Sequence, residues 1–257
     1  MNKLKQILNA FFRLRYWVYA VRLKTLPASI APVLVGLGLT YEMTGYSNLF
    51  AGLTLLCAVL LQVGTNFTND YADYEKGADS ALRKGPARMV QSGCISLAAM
   101  KRAALIVFGV AFVIGIALSF RGGWAIFGIG VLSIAFGYMY TAGPFPLAYK
   151  GFADGIALCF FGPIAVCGTS YIQVPVFLWD GVWLGVGLGC ISVALLTVNN
   201  VRDWKEDRLV SKQTLVVRFG PVYGYIQYAL CLCVSAAILW LYTAASGSAF
   251  MYLMGYT

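Results

Sequence analysis

Seven apolar stretches, each near the length that crosses a lipid bilayer, run through this chain at residues 26–41, 49–67, 103–120, 124–140, 155–172, 182–198 and 222–245. A spanning helix needs roughly 20 predominantly apolar residues, and in lipid each backbone N–H and C=O has to be satisfied within the segment. The fold these runs predict is an all-α integral membrane protein, a multi-span helical bundle, with residues 1–257 forming one membrane-embedded domain. Composition agrees: 60% of residues are hydrophobic and 11% charged, against about 25% charged in a soluble domain. The closely spaced glycines Gly36/Gly38, Gly128/Gly130 and Gly185/Gly187/Gly189 predict close helix–helix approach. Ahead of the first span, residues 1–22 set Leu4, Ile7, Leu8, Phe11 and Phe12 at helical spacing among Lys3, Lys5, Arg13 and Arg15, which predicts a basic amphipathic helix at the membrane surface. This segment has no apolar core ending in a small-residue cleavage site, so it does not read as a signal peptide.

The 19 Lys and Arg residues keep step with the spans. All but Arg121 lie in the N-terminal segment or in the loops after the second, fourth and sixth apolar runs. The positive-inside rule therefore puts the N-terminus and those loops in the cytoplasm, with the chain crossing the cell's inner (plasma) membrane several times. A net charge of +9 would also suit a nucleic-acid binder, but the alternation assigns the charge to membrane orientation, and no nucleic-acid partner is expected.

Seven of the ten acidic residues fall in two short segments on that same side, each ending an apolar run. NFTNDYADYEKGAD at 66–79 holds Asp70, Asp73, Glu75 and Asp79, and NNVRDWKED at 199–207 holds Asp203, Glu206 and Asp207. Asn66, Asp70 and Asp73 stand at i, i+4 and i+7, which puts them on one helix face until Gly77 ends the helix and lets Asp79 fold back. Asn199, Asp203 and Asp207 repeat the pattern at i, i+4 and i+8, with Asn200 beside them. Carboxylates at a membrane boundary are costly unless something pairs with them. Two such faces opposite one another make a cage of hard oxygen ligands. Two solvated acidic loops would be the blander explanation, but both lie on one side of the membrane with Asn ahead of the carboxylates. The chain has no histidine, so a metal site here would be oxygen-only, which suits Mg²⁺. No CxxC pair exists among the seven cysteines, which argues against a zinc site or a disulfide framework.

Basic residues accompany the acids. Lys84 and Arg88 follow the first cluster, Arg202, Lys205, Lys212 and Arg218 flank the second, and Arg22 and Lys24 precede the first span. Acids ringed by bases fit a metal-bound phosphate better than a bare cation, since Arg grips phosphate oxygens bidentately and Lys acts as a point charge. The loop YMYTAGPFPLAYK at 138–150 is stiffened by Gly143, Pro144 and Pro146. Its tyrosines, Tyr138 and Tyr140 among them, belong either to an aromatic belt or to a lid over the cage. An ion-coupled transporter is the alternative from another class, but transport acids lie near the bilayer midplane, and Asp154 is the only acid close to a span interior here.

At these residues the chain resembles the UbiA-type membrane prenyltransferases. NDYADYEKGAD is similar to the first aspartate-rich motif of that family and DWKED to the second. RLKTLPASIAPVLVG at 22–36, GPARMVQSG at 85–93, YTAGPFPLAYKG at 140–151 and NNVRDWKEDRLVSKQTLVVRFG at 199–220 resemble its 1,4-dihydroxy-2-naphthoate polyprenyltransferase branch, so the likeness runs from about residue 20 to 220. The resemblance implies a bundle of nine spans around a central cavity with a lateral opening to lipid. Only seven are read here, so the C-terminus is expected to be short of the family pattern. It further implies Mg²⁺ held by Asp70, Asp73, Asp203 and Asp207, with Asp79 at a longer spacing and Asn66, Asn69 and Asn200 in support. Arg88, Arg22 and Lys150 would contact diphosphate or close the site. Lys24, Lys84, Arg202, Tyr138 and Tyr140 complete the expected substrate surround.

The activity implied is transfer of a polyprenyl group from an allylic polyprenyl diphosphate to 1,4-dihydroxy-2-naphthoate, with loss of CO₂ and diphosphate, giving demethylmenaquinone. A phytyl donor or a 4-hydroxybenzoate acceptor is the nearer alternative. The missing histidine bears on the same point: substitution at a carbon bearing a carboxyl group releases CO₂ instead of a ring proton, so no imidazole base is required.

Overall fold

The computed structural model of the chain describes residues 14–78 and 85–246. A helix over residues 14–21 passes through a turn at Arg22 and a 3-10 turn, Leu23–Thr25, into α1 (Leu26–Gly38). There follow α2 (Asn48–Glu75), α3 (Leu97–Met139), α4 (Ala153–Phe160), α5 (Pro163–Gln173), α6 (Trp179–Leu209), α7 (Leu215–Phe219) and α8 (Pro221–Ser246). Among the described residues, six helical stretches are long and apolar enough to cross a membrane, with α4 and α5 counted as one.

The sequence predicts seven spans, and the difference lies in α3. At 1.5 Å per residue its 43 residues would reach about 65 Å, twice the roughly 30 Å of a hydrocarbon core. It does not run straight. Gly123 sits at φ 66°, ψ −163°, a region open essentially to glycine alone, and the chain doubles back there. The Phe112 and Phe127 rings meet edge to face at 6.3 Å, and a Cβ on Gly137 would lie 3.4 Å from the Phe108 ring. α3 is thus a hairpin whose arms are the predicted runs 103–120 and 124–140.

The predicted run at 155–172 is broken between Phe160 and Pro163. Proline lacks the N–H that would continue the helix. The break also lets α4 and α5 approach the α6 backbone: a Cβ on Gly185 would stand 2.5 Å from Pro163 Cα, and one on Gly189 would stand 2.3 Å from the Leu158 carbonyl oxygen. Gly36 lies equally close to Val166 of α5. The other predicted contact glycines behave differently, since Gly38, Gly128 and Gly130 face open space and Gly187 makes only ordinary contact.

Hydrogen bonds sort the turns into two ends. At one end the Arg121 guanidinium donates to the carbonyls of Gly45 and Gln173, while Ser47 N–H donates to Gln173 Oε1 at 2.8 Å. That joins the α1–α2, hairpin and α5–α6 turns around the one cation outside the basic loops. The opposite end gathers both acidic segments. Of the predicted amphipathic helix, residues 1–13 lie outside the described residues. Its last turns dock on α2, with Ala20 1% exposed and the Trp17 ring 5.6 Å from that of Phe67.

Candidate active site

α2 runs on past its apolar stretch and ends, as the sequence predicts, at Gly77, which takes a left-handed conformation at φ 66°. α6 likewise continues through Leu209. The ends of these two helices wall a cavity of about 680 Å³. Asn66, Asn69 and Asp73 face it from α2, and Asn199, Asn200, Arg202 and Asp203 from α6. Arg22 and Lys24 come from the turn before α1, Arg88 from the loop before α3, and Tyr140, Thr141 and Lys212 from the remaining loops of this end. A second cavity, apolar and about 190 Å³, continues into the bundle toward Leu118, Ile126 and Ile172. Gln62, Thr65, Tyr140, Ala157 and Phe161 line both, so they mark the junction of polar chamber and apolar tunnel.

Each carboxylate at the chamber is held by a cation. Asp73 is the most tightly held: Arg88 meets Oδ2 at 2.5 Å and the Tyr149 hydroxyl donates to Oδ1 at 2.9 Å, with both charged side chains under a tenth exposed. Arg202 grips its neighbour Asp203 with two nitrogens, at 2.6 and 2.7 Å. Lys212 reaches Asp207 Oδ1 at 3.1 Å, and buried Asp207 Oδ2 has no hydrogen-bond partner among the described residues. Tyr149 links the two acidic segments, since its ring lies 4.4 Å from the Lys76 ammonium and 5.9 Å from that of Lys212, and its carbonyl accepts from Gln213 N–H. Partial burial lowers the Lys76 pKa from the ordinary lysine value, opposed by the nearby Asp73 charge.

Amides on α2 fix the neighbouring segments. Asn66 Nδ2 donates to the Val21 carbonyl at 2.8 Å and to Thr25 Oγ1 at 2.9 Å, which anchors the turn carrying Arg22 in a left-handed conformation at φ 56°. Asn69 Oδ1 accepts from the Thr141 hydroxyl.

Of the residues singled out in the sequence, Arg22, Lys24, Asn66, Asn69, Asp73, Arg88, Tyr140, Asn200, Arg202 and Asp203 do line one chamber. Four others do not. Asp70 is 1% exposed and both its oxygens accept backbone N–H groups, from Met89 at 3.0 Å and Val90 at 2.9 Å. At about 100° per residue it stands roughly 60° around α2 from Asp73, which turns it into the loop packing instead of the chamber. Tyr138 faces a separate groove beside Tyr71 and Lys101, because it precedes the chamber's Tyr140 by half a turn of helix. Lys150 is exposed, its ammonium 5.6 Å from the Phe145 ring, since the 3-10 turn at Leu147–Tyr149 points Tyr149 inward in its place. Asp207 lies one turn beyond Asp203 and touches the chamber through Lys212. Asp79 and Lys84 lie outside the described residues. Tyr149 and Thr141 are the residues that sequence reasoning missed. Both sit in the proline-stiffened loop, but no periodicity marks which of its side chains turn inward.

Among the described residues, no three acidic or sulfur side chains converge closely enough to hold a cation by themselves. Of the expected carboxylates, Asp73 and Asp203 face the chamber with amides beside them, while Asp70 and Asp207 stand off it. This donor set still fits Mg²⁺, which is ordinarily bound by one or two carboxylates, with water and phosphate oxygens completing the shell. Asp207 Oδ2 supplies a further hard donor close by.

Residues 29–257 match the family model described as "UbiA prenyltransferase family". A 1,4-dihydroxy-2-naphthoate octaprenyltransferase from Haemophilus influenzae is 35% identical over 240 residues, covering 90% of this chain and 77% of that protein. The Escherichia coli protein of the same name is 36% identical over 234 residues, covering 88% and 75%. A 2-carboxy-1,4-naphthoquinone phytyltransferase from Synechocystis is 26% identical, covering 90% and 73%. The fold matches a solved UbiA homolog from Archaeoglobus fulgidus bound to DMAPP and Mg²⁺, with a TM-score of 0.62 at 17% identity, over 88% of this chain and 76% of that one. The family model spans both acidic segments and nearly every crossing arm, and so this chain belongs to the UbiA prenyltransferase family.

Proposed function

We propose that the chain transfers a polyprenyl group from an allylic polyprenyl diphosphate to 1,4-dihydroxy-2-naphthoate, releasing diphosphate and CO₂. The observation that carries this reading is the junction of the two cavities. A chamber rich in Arg, Lys, Asp and Asn suits a metal-bound diphosphate, and the apolar tunnel opening from it suits the attached prenyl chain. The relatives named for octaprenyl transfer to this naphthoate support the choice of acceptor.

In this reading Asp73 and Asp203, with Asn69 and Asn200 beside them and Asp207 behind, hold Mg²⁺, which when bound neutralises charge gathering on the departing diphosphate. Arg88, Arg22, Lys24 and Lys212 grip the phosphate oxygens around it. Tyr140 presents an aromatic group where the tunnel meets the chamber, suited to face an allylic cation. The apolar walls exclude water, which would otherwise quench that cation to an alcohol. The allylic C–O bond breaks, the ring carbon bearing the carboxyl group forms the new C–C bond, and CO₂ leaves with the electron pair returning to the ring. The immediate product is the diol, which a separate oxidation converts to demethylmenaquinone. The enzyme works in the plasma membrane, with the chamber on the cytoplasmic side where the basic loops lie.

The Synechocystis relative, whose name specifies a phytyl group, keeps a phytyl donor as the second reading. Membranes containing the protein, given Mg²⁺, several prenyl and phytyl diphosphates and several arenes, distinguish the two by mass spectrometry of the products. The proposal expects polyprenylated naphthalenediol as the main product. A phytylated product, or a preference for 4-hydroxybenzoate, would move the protein to another branch, and diphosphate release with no arene product would remove the acceptor assignment.

A further inference from the structure

Asp70 belongs to the first acidic motif, yet it is turned away from the chamber and 1% exposed. Its two oxygens are each engaged by a backbone amide, Met89 N–H at 3.0 Å and Val90 N–H at 2.9 Å. Those two residues follow Arg88 directly, and their side chains, 5% and 6% exposed, sink into a core with Val63, Phe67, Tyr71 and Met100. Ile95 N–H donates to the Met89 carbonyl and Ser92 N–H to that of Arg88, both at 3.0 Å, and these bonds are internal to the loop. The Asp70 carboxylate ties the backbone at the base of Arg88 to α2, beside the packing of the Met89 and Val90 side chains. One turn further along the same helix, Asp73 receives the Arg88 guanidinium at 2.5 Å. The helix thus holds the arginine at two points, by its backbone base and by its tip.

We infer that Asp70 is a positioning residue: it fixes the Arg88 loop so that the guanidinium stands in the diphosphate chamber, and it does not serve as a metal ligand. The chemistry favours this division within the motif. A carboxylate accepts two converging N–H groups, and these charge-assisted bonds offset the cost of burying it. An asparagine in its place offers one acceptor and sets its own NH₂ against the second amide, which leaves a buried donor unpaired. The asparagine would be isosteric, so the loop shifts while the helix stays. The inference rests on the diphosphate reading of the chamber, and the amide-exchange arm of its test does not depend on the acceptor.

The experiment compares Asp70→Asn, Arg88→Ala and the double variant in membranes, with Asp73→Asn as the reference for a chamber carboxylate. KM for the prenyl diphosphate, kcat, and the Mg²⁺ concentration giving half-maximal rate are measured for each. A positioning role predicts that Asp70→Asn raises KM for the diphosphate roughly tenfold to a hundredfold, the cost of leaving a buried amide donor unsatisfied beneath Arg88. The half-maximal Mg²⁺ concentration stays within about twofold of the parent, and Asp70→Asn adds less than about twofold in the Arg88→Ala background. A rise in the Mg²⁺ requirement matching that of Asp73→Asn, or a full additional loss on top of Arg88→Ala, would overturn the inference. Hydrogen exchange of the unaltered protein keeps the inference testable should Asp70→Asn fail to fold. Adding Mg²⁺ with inorganic diphosphate should leave the Met89 and Val90 amides as protected as before. Faster exchange there would mean that Asp70 leaves them to bind metal. Should the parent prenylate no naphthoate at all, the exchange result still decides the role of Asp70, so failure of the acceptor assignment is seen separately.

Discussion

Replacing Tyr149 by Phe removes one oxygen from the centre of the site and nothing else. The hydroxyl donates to Asp73 Oδ1 at 2.9 Å, and the ring stands 4.4 Å from the Lys76 ammonium and 5.9 Å from that of Lys212. Phenylalanine keeps both ring contacts and loses the hydrogen bond to Asp73. A hydrogen bond to a charged group contributes about 1.5–3 kcal/mol, which corresponds to a loss of about ten- to a hundredfold in kcat/KM if the carboxylate has to be held in place for reaction. Arg88 continues to hold Oδ2, so the carboxylate is freed to rotate without being abandoned, which favours the lower part of that range. Tyr149→Ala removes both cation–ring contacts as well, each about 0.5–2 kcal/mol, and releases Lys212 from its place beside Asp207. It should cost roughly another tenfold or more. The assay is initial-rate prenyl transfer in detergent or nanodiscs at saturating arene with varied prenyl diphosphate. Tyr149→Phe within twofold of the parent, or Tyr149→Ala no worse than Tyr149→Phe, would refute the view that Tyr149 couples the two acidic segments.

Three further outcomes follow from the same geometry. Asp73→Asn and Asp203→Asn should each lower kcat at least about a hundredfold while the protein still inserts in the membrane, and near-parent rates in both would remove the metal site from these helices. Cys94 is exposed in the loop between α2 and α3, so a membrane-impermeant thiol reagent should label it from the cytoplasmic side only; labelling from outside intact cells would reverse the orientation. Gly123→Ala forces a side chain into φ 66°, ψ −163° and should destabilise the hairpin by about 1–3 kcal/mol, visible as a lower melting temperature in detergent, whereas an unchanged melt would deny that the turn is glycine-dependent.

The spans were legible because lipid leaves one solution for a long apolar run, and the acidic motifs because charge is scarce in such a chain. The hairpin at Gly123 was also legible, as a gap between two runs, and the backbone leaves helical geometry there. What the sequence could not resolve was direction around the helix. Asn66, Asp70 and Asp73 share a broad face by spacing, yet a rotation of about 60° separates a chamber wall from a buried loop anchor. Only the neighbouring loop decides which side each carboxylate serves, and that loop is distant in sequence and aperiodic. Tyr149 was hidden for the same reason: a 3-10 turn, set by Pro146 and the packing of Leu147 and Ala148, selects it over Tyr138 and Lys150. The break at Gly162–Pro163 shows the reverse case. The residues that cause it are visible, but what they accommodate, the close approach of α6, depends on Gly185 and Gly189 more than twenty positions later.

The central claim is that a naphthoate carboxyl group leaves as the prenyl group arrives. The measurement that tests it uses 1,4-dihydroxy-2-naphthoate labelled at the ring carboxyl, supplied with Mg²⁺ and an allylic polyprenyl diphosphate to membranes containing this protein. Labelled CO₂ and prenylated product are then counted in the same reaction. The account predicts one labelled CO₂ for each prenyl group transferred, and none from membranes containing Asp73→Asn. A prenylated product that retains the labelled carboxyl group, or CO₂ released without prenyl transfer, would contradict it.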